Sequence, residues 1–303
     1  MPEQVQIVEV GPRDGLQNES VILTTDQKLK MICDLANAGL RRIETVSFAH
    51  PDKVPQMADA EAVMQGLPLR DDVTYIGLIL NWRGWQRAAD TTVDEINMNV
   101  SASNTFNRRN QGADTGETID VLGQVVQDAT MKGLPVTGTI ATAWGCPFEG
   151  EVPLDRVLFV AESIAKTGVS EIAIADTIGV ADPWNVTERV EAVRDVVDGV
   201  PLRAHFHNTR NTGIANAFAA IQAGIVVLDA SVGGLGGCPF APDATGNIPT
   251  EDLVYMLDRA GLPTGVELED VIDVSRGLTD LIDHPLEAML PRAGVFPGGI
   301  TAT

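Results

Sequence analysis

Short apolar runs of strand length alternate with longer amphipathic stretches of helix length along almost the whole chain. This alternation predicts repeated β–α units, in which helices connect parallel strands. The chain contains eight such runs, and eight parallel strands are the number that closes a (β/α)8 TIM barrel. The predicted strands cover residues 4–10, 42–46, 73–80, 95–100, 136–141, 171–175, 202–207 and 226–230.

The stretches between these strands carry the helical pattern. Helices are predicted over residues 25–38, 82–89, 118–132, 154–166, 183–197, 212–223 and 250–260, with a short, interrupted one near 55–65. Pro183 and Pro249 stand where proline favours a helix start. Past Gly261 we expect a further helix and then a loose tail. We therefore predict one catalytic domain over residues 1–303, with the barrel at about 4–262 and a short C-terminal helical extension at 263–303.

Length and composition fit this architecture. A chain of 303 residues is long enough for one α/β barrel, and no apolar run approaches the ~20 residues of a membrane-spanning helix. A net charge of −21 argues against nucleic acid as a partner. The chain enters a strand-like run at once, without a secretory or transit segment, and its three cysteines do not suggest a disulfide framework. We expect a soluble, cytoplasmic protein.

Two histidines, His205 and His207, lie at the end of the predicted seventh strand. Alternate residues of a strand project to one face, so the two imidazoles can converge on one ion. Asp14 follows the first strand and Asn247 lies in the loop after the eighth, at the barrel end where such enzymes collect their chemistry. A carboxylate, an amide oxygen and two imidazoles suit Mg²⁺ or Mn²⁺. Taken alone, Asp14 is more typical of a turn than of a metal site, and a single buried histidine is typical of a core.

Charged residues near these candidates suggest supporting roles. Arg13 stands beside Asp14, where a guanidinium can stabilise oxyanion charge at a reacting carbonyl. Glu44 lies inside the second strand and needs a partner there, for which Arg13 is a candidate. Asp176 follows the sixth strand, at the same barrel end.

A glycine-rich segment, residues 232–241, follows the eighth strand and is too long for a tight turn. We expect it to act as a mobile lid whose thiol, Cys238, donates or accepts a proton. A flexible loop with an incidental cysteine is the alternative, and Cys146 is the rival thiol. Arg108 and Arg109 form a basic pair after the fourth strand, which suits nucleotide phosphates, although a solvated loop fits equally well.

Longer motifs around these residues resemble those of the 3-hydroxy-3-methylglutaryl-CoA (HMG-CoA) lyases, within the metal-dependent lyase and Claisen-type synthase barrels. The motifs are EVGPRDGLQNE from Glu9, IETVSF from Ile43, DTIGV from Asp176, the lid, and residues 246–255. The resemblance covers nearly the whole chain. It implies cleavage of HMG-CoA to acetyl-CoA and acetoacetate, a reaction of leucine degradation and ketone-body formation, by a homodimer or larger homo-oligomer.

The resemblance also implies roles for individual residues. Asp14, His205, His207 and Asn247 would hold the divalent cation. Arg13 would polarise the thioester carbonyl and Cys238 would protonate the enolate, while Glu44 and Asp176 would orient these groups. Gln17, Asn18, Arg108 and Arg109 would contact the CoA part of the substrate.

Several positions depart from the family pattern. Thr139, Ala141 and Trp144 stand where tyrosine, serine and leucine are usual, and Asn208 is closer to the synthase branch. We therefore expect a reshaped pocket that takes a related 3-hydroxy-3-carboxyalkyl-CoA, with Arg210 meeting a carboxylate. A Claisen-type acyl-CoA/2-oxo acid synthase, a CoA-independent metal aldolase and a catalytically silent barrel are the alternatives.

Overall fold

A computed structural model of the protein describes residues 2–237 and 246–297. These residues contain a closed barrel of eight parallel strands whose order follows the sequence, with the last strand pairing the first. The predicted (β/α)8 TIM barrel is therefore confirmed. The strands are β1 (Gln6–Glu9), β2 (Arg42–Ser47), β3 (Thr74–Ile79), β4 (Glu95–Ser101), β5 (Val136–Ala141), β6 (Glu171–Asp176), β7 (Leu202–Phe206) and β8 (Val227–Ala230).

Helices surround the barrel and bury their apolar faces against the strands or, in the C-terminal segment, against other helices. They are α1 (Thr25–Asn37), α2 (Ala60–Gly66), α3 (Trp82–Ala88), α4 (Asn104–Gln111), α5 (Thr115–Met131), α6 (Leu154–Ala165), α7 (Pro183–Val196), α8 (Gly213–Gln222), α9 (Thr250–Arg259), α10 (Leu268–Thr279) and α11 (Leu290–Ala293).

The helix α4 was not predicted, because its sequence is polar on nearly all sides and shows no apolar stripe. The signal that the prediction overlooked is the cap, since the Ser103 hydroxyl accepts a hydrogen bond from the amide of Phe106. The basic pair Arg108 and Arg109 therefore lies on a helix and not in a loop.

The barrel interior divides into an apolar part and a charged part. Val8, Val10 and Ile76 form a small apolar cluster separate from the main core. In the charged part, Arg42 of β2 binds Glu95 of β4 and Glu171 of β6. These strands are not neighbours, so the side chains cross the interior, where branched aliphatic residues normally pack.

The C-terminal segment packs against the rest of the protein as far as Leu290, and the short helix α11 that follows ends at Ala293. The amides of Glu287 and Ala288 donate to the carbonyl of Gly233, and the Asp252 carboxylate accepts from the amides of Met289 and Leu290. Within residues 2–237 and 246–297, no helix is long and apolar enough to cross a membrane.

Candidate active site

A tight π-type turn at the end of β1 presents Arg13 and Asp14. The amides of Arg13, Asp14 and Gly15 all point at the carbonyl of Val10, at 3.1, 2.7 and 3.2 Å. Pro12 sits at the start of the turn, where it costs no backbone hydrogen bond. The turn therefore fixes two adjacent charged side chains at the carboxyl end of the strand.

Asp14 meets both predicted histidines. Its Oδ2 lies 3.9 Å from Nε2 of His205 and 3.9 Å from Nε2 of His207, and the ligand atoms of the three residues all lie within 4.8 Å of one another. Burial alone would raise the pKa of Asp14, but Arg13, the two imidazoles and the amide of Asn247 hold that pKa well below its usual range. Asp14 is therefore ionised at neutral pH, as a metal-binding carboxylate must be.

Asn247 completes the predicted cluster. It is buried, and its Nδ2 donates to Oδ2 of Asp14 at 2.8 Å and to the carbonyl of Leu235 at 3.0 Å. Its Oδ1 is also buried and has no hydrogen-bond partner among the described residues. A buried amide oxygen without a partner is costly, and a hard divalent cation is the kind of group that would satisfy it. The donor set thus fits Mg²⁺ or Mn²⁺.

Asp229 on β8 fixes the orientation of one imidazole. Nδ1 of His205 donates to Oδ2 of Asp229 at 3.0 Å, which leaves Nε2 on the side of Asp14. Burial lowers the pKa of His205, but the hydrogen bond and the charge of Asp229 outweigh it, so the pKa is raised. A carboxylate behind a ligating imidazole is the usual arrangement at metal centres.

Glu44 holds Arg13 in a buried two-point ion pair. Nε and Nη2 of Arg13 donate to the two Glu44 oxygens at 2.9 Å each, and Nη1 donates to Oδ1 of Asp14 at 2.6 Å. The pairing of Glu44 with Arg13 is as predicted. Nδ2 of Asn97 also donates to Glu44 at 3.3 Å, and the hydroxyl of Thr139 donates to Oδ1 of Asn97 at 2.7 Å. A chain of hydrogen bonds therefore connects the arginine to the far wall of the site.

A cavity of about 100 Å³ lies at this end of the barrel. The predicted residues that line it are Arg13, Asp14, Gln17, Asn18, Thr139, Ala141, His205 and His207. Thr177, Asn97, Asn99 and Asp229 also line it and were not predicted. A larger groove of about 650 Å³ lies outside the barrel between α1 and α10 and contains none of the clustered residues.

Glu9, at the end of β1, binds three segments next to the site: the turn after β1, the start of the glycine-rich segment and the start of α9. Its carboxylate accepts from the amides of Gly11 and Val232 and from the hydroxyl of Thr250, at 2.7, 2.9 and 2.6 Å. Burial raises the pKa of Glu9 to about 7. Glu251 accepts from the next amide, that of Gly233, and burial raises its pKa to about 7 as well. These two carboxyl groups anchor the start of the glycine-rich segment.

Contrary to the expectation, Asp176 is not part of the cluster around Asp14. Its two oxygens accept from the amides of Val180 and Ala181, at 3.0 and 2.9 Å, so it stabilises the loop after β6. Its neighbour Thr177 lines the cavity instead. The sequence pattern alone did not separate these roles, because the partners of Asp176 are backbone amides of its own loop.

Other predicted residues also lie away from the cavity. Arg109 stacks on the ring of Phe148 at 4.1 Å, and Arg108 lies 3.7 Å from Asp114. Arg210 donates to the carbonyls of Ile178 and Gly179, both at 2.9 Å, so no carboxylate-binding role is evident for it.

The two candidate thiols are Cys146 and Cys238. The thiol of Cys146 is buried and donates to the Ser103 hydroxyl at 3.0 Å, outside the cavity lining. Trp144, near Cys146 in the chain, packs against the ring of Phe206 and does not line the cavity either. Cys238 lies outside the described residues. The preceding residue, Gly237, lines the cavity, and its carbonyl accepts from Nδ2 of Asn18 at 2.7 Å.

Comparison with known proteins identifies the family whose motifs the sequence resembles. The HMGL-like family model matches residues 4–278. Hydroxymethylglutaryl-CoA lyase YngG of Bacillus subtilis is 41% identical over 285 residues, which are 94% of this chain and 95% of that protein. The (R)-citramalyl-CoA lyase of Chloroflexus aurantiacus is 40% identical and covers 97% of this chain and 96% of its own.

A solved structure has the same fold at similar identity. The HMG-CoA lyase from Acinetobacter baumannii, in complex with coenzyme A and 3-methylmalate, has a TM-score of 0.93 and 39% identity. The match covers 97% of this chain and 96% of that one.

Proposed function

The chain belongs to the HMGL-like family and is a lyase of CoA thioesters, and we propose that it cleaves HMG-CoA or a closely related 3-hydroxy-3-carboxyalkyl-CoA. Its full-length similarity to lyases favours this reaction over the synthase and the CoA-independent aldolase. The observation that carries the proposal is the convergence of Asp14, His205 and His207 beside Arg13 at the barrel mouth.

The proposed cofactor is Mg²⁺ or Mn²⁺, with Asp14, His205, His207 and Asn247 as ligands. When bound, such a cation lowers the pKa of a hydroxyl group and offsets the negative charge that develops on its oxygen. The ionised Asp14 and the unpartnered Oδ1 of Asn247 support this ligand set. Oxygen and imidazole ligands suit both Mg²⁺ and Mn²⁺.

Arg13 would stabilise the thioester end of the reaction. When the carbon–carbon bond breaks, its electrons move into the thioester carbonyl and form an enolate, whose oxygen needs a cationic or hydrogen-bonding partner. The two-point contact with Glu44 removes the freedom of the guanidinium to turn away. A donor fixed before the reaction stabilises the transient charge more than one that must reorient.

A proton must return to carbon to complete the reaction, and we propose Cys238 as its donor. The support is its position next to Gly237, which lines the cavity, and the engagement of Cys146 with Ser103 elsewhere. Gln17 and Asn18 line the same cavity and are the proposed contacts to CoA near the thioester. Arg108 and Arg109, exposed on α4, remain the proposed phosphate contacts.

Relatives named for two different substrates, HMG-CoA and (R)-citramalyl-CoA, are 41% and 40% identical to this chain, so the acyl group must be argued from the cavity. Both named substrates carry a tertiary hydroxyl next to the bond that breaks. Thr139 and Ala141, which line the cavity, are the proposed determinants of the choice. If acetoacetate is the product, the reaction belongs to leucine degradation or ketone-body formation.

We propose further that the protein acts as a homodimer or larger homo-oligomer in the cytoplasm. Trp184 on α7 and Phe218 on α8 expose 81% and 53% of their surface, and such aromatic surface is typical of subunit contacts. Cys33 and Cys146 are free thiols, as a reducing compartment favours. Light scattering should give a mass of at least two chains, and a monomer at working concentrations would contradict the assembly.

Product analysis tests the proposed reaction directly. The purified protein is incubated with HMG-CoA and, separately, with citramalyl-CoA, each with Mg²⁺, with Mn²⁺ and with a chelator. We expect acetyl-CoA plus acetoacetate from the first thioester, or acetyl-CoA plus pyruvate from the second, and only when a metal is present. If neither thioester is cleaved at a carbon–carbon bond, the proposal is contradicted.

A further inference from the structure

Arg203 is a fully buried arginine inside the barrel, directly below the proposed metal centre. It lies two residues before His205 on β7, so both side chains face the interior. Its relative exposure is 0%, which is rare for arginine. None of its three guanidinium nitrogens has a hydrogen-bond partner among the described residues.

Charge therefore accounts for the position of Arg203. Its Nε lies 3.2 Å from Oδ1 of Asp229 and 3.5 Å from Oε1 of Glu171. A well-packed aliphatic side chain would avoid the desolvation cost of a buried guanidinium and often gives a more stable protein. A costly residue at such a position suggests a task other than stability.

The contacts of Asp229 indicate that task. Its Oδ1 faces Arg203, while its Oδ2 accepts from Nδ1 of His205 at 3.0 Å. The carboxylate is thus held between a cation on one side and the imidazole on the other. With Oδ1 fixed by Arg203, Oδ2 is aimed at Nδ1, and Nε2 of His205 remains directed at Asp14.

Arg203 is itself held by Glu171, on the side away from the proposed metal centre. Glu171, its second partner, is also bound by Arg42, whose Nη1 and Nη2 donate to the two Glu171 oxygens at 3.1 and 3.0 Å. Arg42 also binds Glu95. Arg42 thus belongs to the same charged network but lies one carboxylate further from Asp229, which makes it a matched control.

We propose that Arg203 is a positioning residue for metal binding, which acts through Asp229 to hold His205 in the orientation that presents Nε2 to the cation. The inference rests on the metal role proposed above for His205. It predicts that loss of Arg203 weakens metal binding even where the protein stays folded. A purely structural arginine would instead affect stability and leave the metal affinity of the folded protein unchanged.

The test is a double-mutant cycle read out by Mn²⁺ affinity in the absence of substrate. Calorimetric titration compares the wild type with Arg203→Met, Asp229→Asn and the double variant. We expect Mn²⁺ affinity to fall about 10- to 100-fold in each single variant, and to fall no further in the double variant than in Asp229→Asn. Arg203→Lys and the control Arg42→Met should stay within about threefold of the wild type.

The cycle remains decisive if Arg203→Met alone fails to fold. The double variant removes both members of the ion pair, which proteins tolerate better than loss of one. A further loss of affinity on adding Arg203→Met to Asp229→Asn would overturn the proposal. Wild-type affinity in Arg203→Met, or an equal loss in Arg42→Met, would overturn it as well.

A spectroscopic readout separates positioning from stability. Long-range ¹H–¹⁵N correlation spectra of the metal-free protein report which nitrogen of His205 carries the proton. We expect the Nδ1–H form in the wild type and a mixture in Arg203→Met, whereas an unchanged form would contradict positioning. If the wild type binds no Mn²⁺, the proposed metal role of His205 is wrong. If the wild type binds Mn²⁺ and Arg203→Met binds it equally well, the metal role stands and only the role of Arg203 is wrong.

Discussion

Asn247 donates a hydrogen bond of 2.8 Å to Asp14, although 233 positions separate the two residues. The contact is possible because residue 247 pairs with His207 in an isolated antiparallel bridge, which brings the segment that begins at residue 246 alongside the end of β7. Gly236 allows the close approach, since a Cβ there would lie 2.6 Å from Nδ2 of Asn247. The amide is oriented by Asp14 and Leu235, so its oxygen is left for another partner.

Replacing Asn247 with Ala should therefore weaken metal binding. We expect Mn²⁺ affinity to fall about 100-fold, because a ligand oxygen and the contact that orients Asp14 are lost together. Asn216→Ala is the matched control, since Asn216 is equally buried but donates to the carbonyl of Ala181 outside the cavity lining. Calorimetric titration of both variants provides the measurement, and wild-type affinity in Asn247→Ala would remove Asn247 from the ligand set.

Replacing Glu44 with Gln should impair both turnover and stability. Turnover should fall about 10²–10³-fold, since Arg13 is no longer held against the reacting carbonyl. The free energy of unfolding should fall by about 2–3 kcal/mol, because the buried Arg13 loses one of its two carboxylate partners and keeps only Asp14. Steady-state kinetics at low temperature and urea unfolding measure the two effects.

The control for Glu44 is Glu61, which binds Arg87 through both oxygens at 2.7 and 2.9 Å but is partly exposed. Glu61→Gln should cost less than about 1 kcal/mol and leave turnover unchanged. Equal turnover in Glu44→Gln and Glu61→Gln would rule out a catalytic need for a fixed Arg13.

The buried Glu9 predicts a specific dependence of stability on pH. The unfolded chain releases the Glu9 proton near its ordinary pKa of 4.5, whereas burial raises the pKa of the folded protein to about 7. The folded state therefore binds more protons between these values, and its stability decreases as the pH rises through them. The difference between the two pKa values corresponds to about 3 kcal/mol, a penalty that is present above pH 7 and absent below pH 4.5.

Glu9→Gln removes this ionisation while keeping an acceptor for the amides of Gly11 and Val232. The stability of Glu9→Gln relative to the wild type should rise by about 3 kcal/mol between pH 4.5 and pH 8. Urea unfolding at several pH values measures it, with the half-exposed Glu162→Gln as control. A relative stability that does not change with pH would contradict the raised pKa.

Replacing Cys238 with Ala should separate metal binding from turnover. We expect turnover to fall about 10²–10⁴-fold, as for loss of a general acid, with unchanged Mn²⁺ affinity. Cys146→Ala is the control and should keep near-normal turnover, because its thiol donates to Ser103 away from the cavity. Normal turnover in Cys238→Ala would assign the proton to another group.

The parts of the structure that were predictable from sequence are those with local signals. Strand alternation predicts the barrel, and the spacing of His205 and His207 predicts their common face, because both depend on neighbouring residues only. The ion pair between Arg13 and Glu44 follows from the cost of an unpaired charge within a strand. The cap of α4 is also a local signal, but the polar sequence that follows it obscured the helix.

The roles that were not predicted depend on side-chain contacts that the alternation of apolar and polar positions does not encode. Asp229 is a single acidic residue in the apolar β8, and it meets His205 and Arg203 because β8 pairs directly with β7, on which both residues lie. A charge inside a strand is the feature that singled out Glu44, and Asp229 has the same feature. For Glu44 the sequence offered Arg13 as a candidate partner, whereas for Asp229 no partner was proposed. Asp176 was assigned to the site by its position at the end of β6, whereas its carboxylate oxygens accept from backbone amides of the loop that follows.

The most direct measurement is an anomalous difference map from crystals grown with Mn²⁺. Asp14, His205, His207 and Asn247 should surround a single manganese peak, with ligand atoms about 2.0–2.3 Å from the ion. The same crystals soaked in chelator should lose the peak, and the protein in solution should lose activity with it. A map without a peak between these four side chains, from protein that remains active after chelation, would contradict the metal centre on which the proposed reaction depends.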